Sequence, residues 1–508
     1  MGAVAKSCVM NPIRRSTAVA GLMSIFAGGL LLTPCPVSSA PDKSERPNFI
    51  IINIDDMGYA DIAPFGSMIN RTPNLDRLAE EGRRLTCFYA APVCSPSRSA
   101  LMTGCYPKRV LPIPGVLFPA GAVGLNPSEH TVAELMKQAG YATACVGKWH
   151  LGDQPEYLPT RRGFDFYYGI PYSNDMGTVE DGSKSSLGDP LPKPKPRKKR
   201  RLQKADEGTG LRGYAQPPLP LLENETVIAR VRAKEQQELV ARYTGKALEF
   251  IRKNQDHRFF LYLPHSAVHF PIYPGKNFAG KSPHGIYSDW VEEVDWSVGQ
   301  VMKTLRELKL DRNTLVLFTS DNGGTPRAVN APLRGFKGST WEGGMREPTI
   351  AWWPGKIPAG TSTNAVTGMM DILPTFVKLA GGTIPGDHKL DGADIWPLLA
   401  GKPGAKSPHK VFYYFRGLKL EAVRSGKWKL RLGKDELYDL NADIGESSNV
   451  AGKNPDTVKR LKELAATMDD DLGVNGIGPG CRPLGRVDHP LPLIGLDGKI
   501  RAGFAPRK

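Results

Sequence analysis

Cys94 opens the run Cys94-Ser95-Pro96-Ser97-Arg98, and the sequence supplies around it the residue types needed to handle a tetrahedral oxyanion. Two adjacent carboxylates, Asp55-Asp56, end one apolar run, and Asp321-Asn322-Gly323-Gly324 ends another. Adjacent carboxylates repel and are costly unless a cation joins them, so the two clusters suggest a site of hard oxygen ligands. Neither a cysteine pair nor a histidine cluster accompanies them, which points to Ca²⁺ or Mg²⁺ rather than Zn²⁺. Lys148 and His150, in Gly147-Lys148-Trp149-His150, are two apart and point the same way from an extended segment. Lys337 adds a flexible cation and Arg98 a planar one. Singly, each has an ordinary reading: an Asp-Asp pair as a cap or turn, a lone cation as surface charge, a cysteine as a buried thiol. As a set with a divalent cation they describe a site for a sulfate or phosphate ester.

These groups must be brought together by the elements that carry them. Asn48–Ile54 is almost continuously apolar, as a buried parallel strand should be, and it runs straight into Asp55-Asp56. Thr72 to Gly82 reads as a capped helix that stops at glycine. Helix Thr131–Gly140 then leads into strand Ala142–Val146, helix Ala233–Lys253 into strand Phe259–Leu263, and helix Asp289–Leu308 into strand Thr314–Thr319. Such alternation predicts an α/β fold with a large, mostly parallel sheet sandwiched by helices. In such sheets functional groups gather beyond the carboxyl ends of the strands. Asp55-Asp56, Gly147–His150, His265 to His269 and Asp321-Asn322 each follow a predicted strand at once. Ser95-Pro96 reads as a helix start, with Ser95 as cap, so Cys94 is expected at the positive end of that helix.

Residues 1–40 carry Lys6, Arg14 and Arg15, then an apolar stretch to Leu32, then small residues up to Ala40. This order reads as a secretory signal, so the expected protein is exported, periplasmic or secreted, with no stable membrane span once the signal is removed. Leu32-Thr33-Pro34-Cys35 is a weak match to a lipid-attachment site, and its proline counts against it. Removing the signal, with three basic and no acidic residues, takes the formal net charge from +16 to +13. A basic exported protein favours an anionic glycan over nucleic acid as its partner. Residues 41–407 read as the catalytic domain, interrupted at about 181–220 by a proline-rich, exposed insertion containing the basic run Lys193–Arg201. Residues 408–508 read as a smaller C-terminal antiparallel α+β subdomain and tail, with strands at Val411–Phe415, Glu421–Arg424 and Trp428–Arg431, then helix Pro455–Leu472. The tail from Gly473 is expected to wrap the surface.

The run Cys94–Gly104, with Gly147–Gly152 and Trp341–Pro348, resembles the formylglycine-dependent sulfatases of the alkaline phosphatase superfamily. The resemblance covers about Pro47 to Val450, and Pro114–Leu117 and Gly169–Ser173 are most similar to its arylsulfatase A and N-acetylgalactosamine-6-sulfatase branch. It implies an alkaline phosphatase-like fold and a maturation enzyme that oxidises Cys94 to Cα-formylglycine, whose hydrate attacks sulfur and releases inorganic sulfate. Asp55, Asp56, Asp321, Asn322 and residue 94 would then hold Ca²⁺, in preference to Mg²⁺. Arg98 would support the diol, and Lys148, Lys337, His269 and Ser173 would hold the sulfate oxygens. His269 would also protonate the leaving alcohol, and His150 would accept a proton from the diol. His269, not His265, carries the matching His-Phe-Pro context, whereas Cys105 stands where the family often has arginine. The expected substrate is a sulfated carbohydrate or an aryl sulfate. The competing readings are a phosphate or phosphonate ester hydrolase of the same superfamily, and a non-catalytic binder of sulfated glycan.

Overall fold

The computed structural model describes residues 46–193 and 208–506; the signal segment 1–40 and all of the basic run except Lys193 lie outside the described residues. The strand Asn48–Ile54 forms the middle of an eleven-stranded sheet and is buried along its whole length. It pairs in parallel with Phe259–Pro264 on one side and Thr314–Ser320 on the other. Ala142–Val146 and Phe166–Gly169 continue the parallel series outward from Phe259–Pro264. On the opposite side Arg346–Trp352 runs antiparallel between Thr314–Ser320 and Arg83–Tyr89.

Alternation along the central strand divides the core in two. Phe49 and Ile51 face a layer containing the helices Cys94–Thr103, Val132–Gln138 and Ile372–Leu379. Ile50, Ile52 and Ile54 face the other, built on Pro73–Glu81, Leu239–Lys253 and Ile286–Glu307. Apolar residues on both faces are what a sheet covered by helices on both sides requires. The expected start at Thr131 is a capping box: Thr131 Oγ1 accepts the Glu134 N–H at 3.1 Å, and a Glu134 carboxylate oxygen accepts the Thr131 N–H at 2.8 Å.

The C-terminal region forms a four-stranded antiparallel sheet, Phe412–Arg416, Lys419–Ser425, Trp428–Arg431 and Glu436–Asp439 in that order, backed by the helix Pro455–Ala466. It shares a third apolar cluster with Cys87 and Tyr89 of the large sheet and with Met345, which precedes the strand Arg346–Trp352. The tail returns to the large domain: Gly485–Arg486 pairs with Val123–Gly124, and Leu493, Ile494 and Phe504 are buried in the first core layer.

Four expectations need correction. The helix expected over Ala233–Lys253 is two, Ala233–Gln236 and Leu239–Lys253, and the final helix ends at Ala466 rather than Leu472. Ser95 does not cap its helix: Val93 is the cap residue, and Ser95 Oγ instead accepts the Leu117 N–H at 3.2 Å. Of the described part of the 181–220 segment, residues 181–186 and 216–220 are packed while 188–191 and 212–214 are exposed as expected; Asp181 is an acceptor that orders the first end. It is buried, takes Arg230 Nε at 2.7 Å and Thr178 Oγ1 at 2.9 Å, and is followed by buried Ser183, Ser185 and Ser186.

Candidate active site

The acidic groups meet because their strands are neighbours. Asp55 follows Asn48–Ile54 and Asp321 follows Thr314–Ser320, and the Asp321 N–H donates to the Ile54 carbonyl at 2.9 Å. Asp56 has a φ of 64°, a left-handed conformation that aspartate tolerates better than most residues, and it turns the chain sharply at the strand end. Asn322 Nδ2 donates to Asp56 Oδ1 at 2.7 Å. All four residues are buried.

Cys94 is the first residue of the helix Cys94–Thr103, so the expected helix-start placement holds although the cap differs. Its thiol donates to Asp55 Oδ1 at 3.4 Å, and Lys337 Nζ lies 3.4 Å from its sulfur. Lys337 Nζ also pairs with Asp56 at 2.6 Å. Lys148 Nζ contacts Asp55 and donates to Ser173 Oγ at 3.1 Å. Ser173 Oγ is 3.3 Å from His269 Nδ1, and His269 Nε2 is 3.6 Å from Asp56. These distances link Asp55, Asp56, Asp321, Asn322, Cys94, Lys148, Ser173, His269 and Lys337 into one connected cluster.

Two of the expected residues stand apart from the thiol. Arg98 sends its hydrogen bonds elsewhere, to Asp321 Oδ2 at 2.9 and 2.7 Å and to the Lys148 carbonyl at 2.5 Å. It is thereby a brace between two walls of the site. His150 lies with Nε2 2.9 Å from the Leu117 carbonyl, so Nε2 carries the proton, and Nδ1 is a buried acceptor with no partner among the described residues. His265 belongs to the fold: its Nε2 is 3.1 Å from Ser297 Oγ, and burial pushes its imidazole down to about 3.

Burial and charge act against each other here. Burial alone would raise Asp55, but Lys148 first, then His269, Arg98 and Lys337, hold it well below the usual carboxylate range. Burial, then repulsion from Asp55, pushes Asp321 up to about 6 despite Arg98. The Cys94 thiol is raised far above its ordinary value by burial and by Asp55, against Lys148 and Lys337, so as a cysteine it stays protonated and is a poor nucleophile. Burial, then Lys148 and Arg98, lowers His150 well below its usual value, which keeps the imidazole neutral.

Asp55, Asp56, Cys94 and His269 offer ligand atoms all within 4.8 Å of one another. Asp56 Oδ2 and Asn322 Oδ1 are buried oxygens without hydrogen-bond partners. Unpartnered buried oxygens among three carboxylates fit a hard divalent cation such as Ca²⁺.

Sequence reasoning missed what supports this cluster. Glu347 is fully buried with neither carboxyl oxygen bonded, and burial, then Asp321 and Asp56, raises its carboxyl well above the ordinary range. It therefore resists ionisation behind the acids. The loop bearing Lys337 is gripped by the C-terminal sheet. Trp341 is sandwiched between the guanidinium groups of Arg334 and Arg431, each 3.8 Å from its ring. Lys429 Nζ joins Glu342 at 2.9 Å and Glu446 at 2.8 Å, all fully buried. Glu342 lies inside the Trp341–Pro348 motif, which was the one available signal; Lys429 and Glu446 carried none.

Comparison with known proteins identifies the family. The family model described as Sulfatase matches residues 47–382, and one described as N-sulphoglucosamine sulphohydrolase, C-terminal, matches 337–472. N-acetylgalactosamine-6-sulfatase of Canis lupus familiaris is 36% identical over 477 residues, which cover 90% of this chain and 84% of that protein. Arylsulfatase A of Homo sapiens is 37% identical over 462 residues, covering 82% of this chain and 87% of that one. Among solved structures, Ps i-CgsB in complex with k-i-k-neocarrahexaose has a TM-score of 0.70 at 30% identity, covering 85% of this chain and 95% of that chain. The PsFucS1 sulfatase from Pseudoalteromonas sp. has a TM-score of 0.71 at 29% identity, covering 84% and 91%.

Proposed function

We propose that this chain, which belongs to the sulfatase family of the alkaline phosphatase superfamily, is an exported enzyme that hydrolyses a sulfate ester of a carbohydrate, using a formylglycine made from Cys94 and a bound Ca²⁺. The observation that carries this reading is that Cys94 lies against Asp55 and Lys337, which join it to Asp56, Lys148 and the neighbouring strand-end acid Asp321 in one cluster. Membership of the family gives the reaction class, sulfuric ester hydrolysis. The formylglycine, the metal, export and the carbohydrate are this proposal's own.

Asp55, Asp56, Asp321, Asn322 and residue 94 would hold the Ca²⁺, which when bound supplies Lewis acidity toward the oxygens beside it. The hydrated aldehyde at residue 94, once formed, supplies a hydroxyl that a thiol in this setting cannot match as a nucleophile. The protein's own groups do the rest. Lys148, Lys337 and Ser173 are placed to donate hydrogen bonds to sulfate oxygens and to offset charge that grows in the transition state. His269, beside Ser173 and at the exposed edge of the cluster, is the group placed to protonate the departing alcohol. His150, whose Nδ1 is a neutral acceptor without a partner among the described residues, is assigned the proton from residue 94. Arg98 fixes Asp321 and the Lys148 backbone and so sets the spacing between the acidic and cationic walls.

Carbohydrate is favoured because similar proteins include one named for N-acetylgalactosamine 6-sulfate and one solved with a neocarrahexaose, and because the chain is strongly basic. The catalytic part is assigned to 41–407 and the C-terminal subdomain and tail to 408–508. The test is turnover by protein coexpressed with a formylglycine-generating enzyme, comparing 4-nitrocatechol sulfate, 4-nitrophenyl phosphate and defined sulfated oligosaccharides. Release of inorganic sulfate is expected from the sulfate esters, with oligosaccharides preferred. Preference for the phosphate ester, or tight glycan binding with no sulfate released, would overturn the proposal.

A further inference from the structure

Every cation so far described at the site is engaged by an aspartate: Arg98 by Asp321, Lys148 by Asp55 and Lys337 by Asp56. Arg327 is different. It is exposed, and among the described residues its side chain makes no ion pair; its guanidinium lies 5.5 Å from the centre of the Phe270 ring. Phe270 directly follows His269, and its carbonyl accepts the His269 Nδ1 proton at 2.5 Å. Arg327 is also three residues beyond Gly324, whose carbonyl accepts the Lys337 N–H at 3.1 Å. Arg327 therefore neighbours, through the Phe270 ring, the chain segment that carries His269, and its own loop is bonded at Gly324 to the backbone of Lys337.

The loop that carries it is fixed. Asn330 bonds Gly324 through both its amide oxygen and its amide nitrogen, each at 3.0 Å. The Ala328 N–H donates to the Thr325 carbonyl at 2.9 Å, and the Val329 N–H to Asp61 Oδ1 at 2.8 Å. A surface arginine is ordinarily a solvated charge worth little to anything. Here the aromatic ring favours a cation near its face, and a guanidinium can give two parallel hydrogen bonds to a carboxylate or sulfate. On the other edge of the Lys337 turn, Phe336 exposes 44% of its surface and offers an apolar face of the kind sugar rings rest on.

We propose that Arg327, beside the Phe270 ring, is a specificity-determining residue that binds a second anionic group, sulfate or carboxylate, on the sugar next to the one losing its sulfate. The proposal rests on the sulfatase reading of the same site and sharpens its substrate class to polyanionic saccharide. A neutral-flanked monosulfate gains nothing from this subsite, and a doubly anionic one gains affinity that weakens as salt screens the pair.

The experiment compares wild type with Arg327→Ala, Arg327→Lys and Arg327→Glu, using 4-nitrocatechol sulfate as the singly charged reporter. Two carrageenan-derived disaccharides, one carrying one sulfate and one carrying two, serve as substrates or as competitors of the reporter. The quantity read is the ratio of kcat/KM, or of inhibition constants where a disaccharide is not cleaved, between the doubly and singly charged sugars. Wild type is expected to favour the doubly charged sugar. Arg327→Ala should lower that ratio about fivefold or more, Arg327→Glu should lower it further, and Arg327→Lys should recover part of it. An unchanged ratio in an enzyme that still turns over the reporter would overturn the subsite alone. A wild type that releases sulfate from no ester would overturn the proposed function and the subsite with it.

Discussion

Replacing Lys429 with methionine tests how the C-terminal sheet holds the catalytic loop. Lys429 Nζ is 2.9 Å from a Glu342 oxygen and 2.8 Å from a Glu446 oxygen, and none of the three side chains reaches solvent. At an effective dielectric constant of about 20, each contact is about 6 kcal/mol of gross attraction. Desolvation cancels most of that, and removing one partner of a buried ion pair costs about 3–5 kcal/mol, because the remaining charge is left uncompensated. In a chain of this size 1 kcal/mol moves the melting midpoint by about 1 °C, so Lys429→Met should lower Tm by about 3–5 °C at pH 7. The effect has a defined pH dependence. Burial opposes ionisation of Glu342, but Lys429 first, then Arg346 and Arg424, hold its carboxyl well below the ordinary range. Its stabilisation is therefore present above its unfolded value, near 4.5, and is lost as pH falls through the lower folded value. Without Lys429 the carboxyl titrates at higher pH, so the deficit against wild type should shrink as the buffer is taken below about pH 4.5. Adding Glu446→Gln to Lys429→Met removes one stranded carboxylate and should restore part of the loss. Because Glu342 anchors the turn after Lys337, kcat should fall along with stability. Melting curves at matched scan rate, at pH 7 and about pH 3, read all of this. A drop below about 1 °C at pH 7, or a deficit that grows on acidification, would refute the reasoning.

Cys94→Ala should reduce sulfate release by roughly a thousandfold or more while leaving the melting curve close to wild type, since the thiol's contacts are long and weak; initial rates and calorimetry on the same preparation check both halves. Lys337→Ala should lower kcat about a hundredfold with a smaller change in KM, as expected for a cation that acts on charge developing in the transition state. Glu293 is pushed up to about 8 by burial, and its carboxylate accepts the Gly275 N–H at 2.7 Å. A carboxyl with a raised folded pKa binds its proton more tightly when folded, so stability falls as pH climbs from its unfolded value toward about 8. Glu293→Gln should therefore stabilise the protein at pH 8 by about 2–4 kcal/mol and far less at pH 5, measured as the shift in urea midpoint.

The central strands and the acids at their ends were legible because burial on both faces leaves Asn48–Ile54 and Thr314–Ser320 almost wholly apolar, and the chain turns polar abruptly where each strand ends. Arg83–Tyr89 and Arg346–Trp352 were not read as strands. Both begin with charged residues, and their place in the sheet depends on antiparallel pairing with each other across a long stretch of sequence. The start of the helix at residue 94 misled in detail, because Ser95 spends its hydroxyl on Leu117 rather than on its own helix. The segment at 181–220 looked like a solvated insertion because proline and charge dominate it, yet Asp181 pairs with Arg230 and orders its first turns. Lys429 and Glu446 left no local trace: a buried ion pair is written only in the tertiary contact, and each residue alone reads as surface charge.

The central claim is that residue 94 works as an aldehyde and not as a thiol. The direct measurement is the mass of the proteolytic peptide spanning Cys94, from protein purified after coexpression with a formylglycine-generating enzyme and assayed for sulfate release in the same preparation. The expected peptide has a mass that matches an aldehyde in place of the thiol, in a fraction that rises and falls with specific activity across preparations. Full sulfatase activity in a preparation whose residue 94 is an intact thiol throughout would contradict it.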